Sequence, residues 1–208
     1  MVDVVGFTDH EEAVIKGMMA RFGADNHRLG ELLAVAKADM PGYNGKVVPR
    51  IVGGHHIEMT MLLSSCAPFT VAHELAHVSD ISCRRQETKD NLSLRMPTGW
   101  HLAHRMSAEY YANRVACDYS TEAQIFEAFK NDHTGFAAAA HQEDWSSLLI
   151  HYALMLGIFH GLERMDMDPV RLLKTTHLPE GVMRGLEHFR DQATAFFDGH
   201  ATSRAVPA

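Results

Sequence analysis

The chain has 208 residues, 46% hydrophobic and 22% charged, which is enough for one buried core and excludes a disordered or fibrous protein. Its 19 Lys and Arg against 26 Asp and Glu leave a net charge of −7, which excludes a basic footprint for direct nucleic-acid binding. Three Cys in no paired motif (Cys66, Cys83, Cys117), no basic-then-apolar leader and no uninterrupted apolar span predict a cytoplasmic chain that does not enter a membrane.

In chain order, residues 9–22 predict a first helix. Thr8 or Asp9 caps it, Glu11 and Glu12 favour its positive end, and Val14, Ile15, Met18 and Met19 form an apolar stripe. A second helix is predicted over 27–40, with Leu29, Leu32, Leu33 and Val35 on one side and Pro41-Gly42 as its stop. The β-branched run 46–52, the Gly53-Gly54 turn and the alternation over 56–61 predict a β-hairpin, and Pro49 makes its first strand an edge strand. Beyond Pro68 the pattern is helical, over 69–84, 99–119, 121–131, 142–164, 169–175 and 180–197, with a polar loop at 85–98. The stretch 148–159 predicts a buried packing helix, 137–140 a flexible or helical joint, and 199–208 a disordered tail.

The third of these helical segments to be met along the chain carries His73-Glu74-Leu75-Ala76-His77, an HExxH pattern. Residues four apart on a helix share a face about 6 Å apart along the axis, so two imidazoles can converge on one ion. Glu74 falls beside that ion, where its carboxylate can act as the base for a metal-activated water. With 15 His and 13 Glu, shuffling the chain yields roughly 0.07 such matches, so the context has to strengthen the pattern. It does: every residue from 71 to 79 other than Glu74 and the two His is uncharged, as a helix buried beneath a cleft requires.

A catalytic zinc takes three protein ligands and keeps one position open. Glu109 is the best third candidate. Ala112 and Ala116 share its helix face and are small enough for a close helix approach, and Asn113, four residues on, can hydrogen-bond a ligand from behind. The rival is a spacing that places Asp80 and Cys83 after His77, with the Cys83 thiolate as third ligand. Asp80 then stands where a turn-forming Gly belongs, and a thiolate is an odd choice for hydrolysis. His104, five residues before Glu109, lies at a poor angle to it; His101 and His104 are read as exposed or supporting residues, and Tyr110 and Tyr111 as core aromatics.

HELAH followed some thirty residues later by ExxANxxA resembles the gluzincin arrangement, and most closely the ImmA/IrrE-type metallopeptidases of the bacterial cytoplasm. The resemblance covers roughly residues 5–120. It implies His73, His77 and Glu109 as zinc ligands, Glu74 as base, and a strand before the active-site helix, here 56–63, that holds an extended substrate. Ala76 stands where a Gly is common and Val115 where an aromatic often does, and the helices beyond 120 have no counterpart in the pattern.

The expected molecule is thus an α+β, zincin-like, mainly helical single domain over 1–198, with a catalytic core at about 1–120 and a helical part at 121–198. It holds one Zn2+ per chain and hydrolyses peptide bonds in a protein or peptide substrate, a regulatory protein being one candidate. The alternative from another class is a zinc-binding regulatory or partner-binding protein of the same fold with little turnover. A third is a helical scaffold in which the motif is accidental.

Overall fold

The computed structural model describes residues 2–53, 56–83, 98–173 and 178–204. Its architecture is α+β, a small sheet followed by helices. The strands are β1 (Asp3–Val5), β2 (Leu32–Lys37), β3 (Gly45–Val52) and β4 (His56–Leu63). The helices are α1 (Asp9–Ala24), α2 (Pro68–Cys83), α3 (Thr98–Asp118), α4 (Glu122–His141), α5 (Trp145–Gly161) and α6 (Glu180–Arg204), with a 3-10 turn at Pro169–Leu172. Among the described residues, no helix is long and apolar enough to cross a membrane.

The sheet order is β1-β2-β4-β3, with β1, β2 and β4 parallel and β3 antiparallel to β4. Along β4 burial alternates strictly. Ile57, Met59, Met61 and Leu63 point into the core, where they meet Ile15 and Phe22 of α1 and Val71, Leu75 and Val78 of α2. Thr8 caps α1 through the Glu11 backbone, with the Glu11 carboxylate returning to the Thr8 N–H.

Pro49 sits in the edge strand, as predicted. Met59 donates its N–H to Glu31 on the β2 side, so Met59 and its partner Pro49 form a non-hydrogen-bonded pair. The N–H that Pro49 lacks therefore belongs to the outer rim of β3, where no ladder bond is lost.

The helix predicted over 27–40 is instead a turn and strand β2. Its pairing with β4 slips between Leu32 and Ala34, a bulge that brings Leu32 and Val35, three residues apart, to the same buried face. That spacing imitates helical periodicity. β1 is too short to leave a pattern of its own. Likewise β4 is not open to a substrate strand in the way the family resemblance implied for 56–63, because β2 and β3 flank it on both sides.

The later helices follow the predicted order with shifted ends. α4 runs through 137–140, which is continuous helix, and α6 extends to Arg204 into the segment predicted as a disordered tail. The loop predicted at 85–98 lies almost wholly outside the described residues, as do 205–208. A second core gathers Met106 and Tyr110 of α3, Phe136 of α4, Leu148, Tyr152 and Leu156 of α5, and Leu186 of α6, so the stretch 148–159 is a buried packing helix. α5 approaches α3 closely at Gly157 and Gly161. A side chain on Gly157 would collide with the Tyr110 carbonyl, and one on Gly161 would meet Cys117.

Helix α3 belongs to both cores. Ala112, Val115 and Ala116 pack into the sheet-side core, while Met106 and Tyr110 pack into the helical one.

Candidate metal centre

α2 lies between the sheet and α3, and its buried residues Val71, Ala72, Leu75, Ala76 and Val78 pin its orientation. That leaves His73 and His77, one turn apart, facing Glu109 on α3. The small side chains of Ala72, Ala76, Ala112 and Ala116, all fully buried, let the two helices come close enough for this.

The Nε2 atoms of His73 and His77 are 3.0 Å apart, and Glu109 Oε2 lies 3.3 Å from the first and 3.4 Å from the second. Ligands bound tetrahedrally at zinc's usual 2.0–2.1 Å are separated by about 3.3–3.4 Å, so three corners of such a site are already spaced for the ion. The three side chains are 15, 16 and 18% exposed, so the group is not sealed from solvent. Among the described residues this is the one group of three or more His, Cys, Asp or Glu that can hold a metal ion.

In the metal-free chain the same crowding shows in the proton affinities. Burial disfavours a charged His73, but its hydrogen bond to Glu109, the charges of Glu74 and Glu109, and Asn113 outweigh this and lift its pKa to about 9. Burial would raise Glu109, yet hydrogen bonds from His73 and His77 and their charges hold it well below the carboxylate range.

Glu74 is 5% exposed and its carboxylate lies against the start of β3, where Gly45 lacks the side chain that would block it. A Cβ on Gly45 would lie 2.5 Å from both Cγ and Oε1 of Glu74. Burial raises the Glu74 pKa, His73 and His77 pull it back, and Glu109 adds to the rise.

Three further residues complete the surroundings. Asn113 Oδ1 is 2.7 Å from His73 Nδ1, so Asn113 supports a histidine ligand and not Glu109 from behind. Arg105 Nε lies 3.7 Å from Glu109 Oε1, the oxygen turned away from the histidines. Asp132 of α4 accepts from Asn113. The i, i+4 spacing of Arg105 and Glu109 is visible in the sequence, whereas nothing local marks Gly45 or Asp132.

The rival ligand is not brought in. Cys83 is exposed at the end of α2 and stands outside the ligand group, and Asp80 is likewise not part of it. His101 is exposed, and Tyr110 is a core residue whose hydroxyl meets His160 Nδ1 at 2.8 Å.

No protein-family model matches the chain, and neither a curated protein nor a solved structure matches it significantly.

Proposed function

We propose that this protein is a zinc-dependent peptidase of the zincin type, with His73, His77 and Glu109 as the metal ligands and Glu74 as the general base. The observation that carries the reading is the triangle of Nε2, Nε2 and Oε2 atoms at 3.0, 3.3 and 3.4 Å, built on an HExxH helix and a facing glutamate helix. Two imidazoles and one carboxylate are the donor set of a hydrolytic zinc site, softer and less charged than the all-oxygen sites of magnesium or calcium. The HELAH and ExxANxxA segments support the same assignment through their resemblance to the ImmA/IrrE-type enzymes.

Zinc held there would lower the pKa of water to roughly 7 and polarise a peptide carbonyl. Everything else is the work of the chain. Glu74 accepts a proton on its carboxylate and delivers it to the departing amine; its burial, which raises its proton affinity, suits both steps. Glu109 offers Oε2 to the ligand group while Arg105 attends Oε1, which favours one-oxygen ligation. An extended substrate adds to the outer rim of β3 in place of 56–63, starting at Gly45 beside Glu74. Pro49 offers no N–H on that rim, so pairing is strongest over the first residues of the strand.

Glu74→Gln tests the proposal. It removes the base and no ligand, so zinc should stay bound while hydrolysis of an unfolded protein substrate falls by about 10²–10⁴-fold. A variant that cleaves as fast as the parent would take Glu74 out of the reaction. A parent that binds zinc and cleaves nothing across a broad peptide library would favour the partner-binding alternative.

A further inference from the structure

The amide of Asn113 is 2% exposed and committed on every side. Its Nδ2 donates to Asp132 Oδ2 at 3.0 Å and to the Leu154 carbonyl at 3.0 Å, and its Oδ1 faces His73 Nδ1 at 2.7 Å. A carboxylate and a carbonyl can only accept, so the nitrogen must be turned to them. The reversed amide would set its oxygen against two other oxygens and give up both of these hydrogen bonds, with only His73 Nδ1 left to accept from its nitrogen. The atom left for His73 is therefore an acceptor. Facing it, Nδ1 of the ring has to carry the hydrogen, and in a neutral imidazole the lone pair then lies on Nε2, the atom that meets His77 and Glu109.

We propose that Asp132 is a positioning residue of the metal centre: it orients the Asn113 amide, which keeps the ring hydrogen of His73 on Nδ1 and leaves Nε2 free for the metal. This deepens the reading of the His73, His77 and Glu109 group as a metal site and rests on it. Asp132 is the charged one of the two acceptors, and bonds to ionised groups are roughly twice as strong as neutral ones. A histidine ring packs beside it. Its Oδ1 lies 3.9 Å from His151 Nδ1 of α5, and Gly135, on the same helix as Asp132, leaves the space that the His151 ring fills. Helices α4 and α5, which contribute no ligand, thereby set the hydrogen position on a ligand from α2.

Two measurements test this. In the unaltered metal-free chain, at a pH high enough to leave the imidazole neutral, ring 15N shifts should show His73 with its hydrogen on Nδ1. A hydrogen on Nε2, or an even mixture, would overturn the proposal whether or not zinc ever binds. In chelator competition with zinc alone, Asp132→Ala and Asn113→Ala should each weaken binding by about 10–100-fold, and the double variant should be no weaker than Asn113→Ala. Affinity within about twofold of the parent in Asp132→Ala, or a loss that adds in full on top of Asn113→Ala, would also overturn it. Absence of zinc from the parent would sink the peptidase reading, while the ring shifts of His73 would still decide whether Asp132 sets its hydrogen position.

Discussion

His73 and His77 come from a helix laid on a sheet, whereas Asn113, Asp132 and the Leu154 carbonyl come from helices that pack chiefly on other helices. The sheet side brings its residues together through neighbours in sequence: one turn of α2 carries both imidazoles and Glu74. The helical side does so only through tertiary packing, with Glu109 and Asn113 on α3 meeting residues tens of positions away. α3 belongs to both cores and joins the two kinds of construction. The two histidines thus come from one side and the groups that hold the His73 ring in place from the other, with Glu109 on the helix between them, and substitutions on the two sides should fail differently.

The largest effect is expected where the two sides meet. Glu109→Ala should weaken zinc binding by more than the roughly 100-fold upper cost of losing a supporting partner, while Cys83→Ala should leave it unchanged in the same chelator competition. The opposite pattern would restore the rival spacing. On the sheet side alone, Gly45→Ala forces a Cβ onto the Glu74 carboxylate, and a displacement of this size should lower the rate of peptide hydrolysis by about 100-fold with zinc content unaltered. Steady-state kinetics beside metal analysis would check it.

Acidity offers a graded test of the same cluster. Below about pH 9 the metal-free His73 holds a proton that zinc must displace, so zinc affinity should rise about tenfold per pH unit and level off near 9. Calorimetry in buffers of different ionisation enthalpy would count the proton released. On the helical side the effects are smaller and chiefly on stability. Gly157→Ala, which drives a side chain into the Tyr110 carbonyl and toward Asn113, should cost about 1–3 kcal/mol in denaturant unfolding. Tyr110→Phe removes the hydroxyl that meets His160 and should cost about 1 kcal/mol with zinc affinity unchanged, because that pair lies in the second core away from the ligands.

The same division explains what could be read in the sequence. The two histidines and Glu74 stand on one helix, so their spacing and its uncharged surroundings single them out, while Glu109 is implied by the resemblance that ExxANxxA carries. The hairpin and the edge position of Pro49 are equally local. β2 is not, because its bulge sets Leu32 and Val35 on one face and copies the period of a helix. Gly45 and Asp132 have no local signature. One matters for an atom it lacks, the other for a hydrogen bond across the α3 to α4 contact. The interior place of β4 depends on β1 and β2 joining the sheet, which no hairpin pattern contains.

The central claim is that three side chains from two helices form a zinc site. Metal analysis of the purified, untagged protein beside its His73→Ala variant addresses it most directly. About one zinc per chain is expected, lost in the variant. A parent chain that takes up no zinc even after reconstitution would contradict the claim and leave the HELAH segment as an ordinary buried helix.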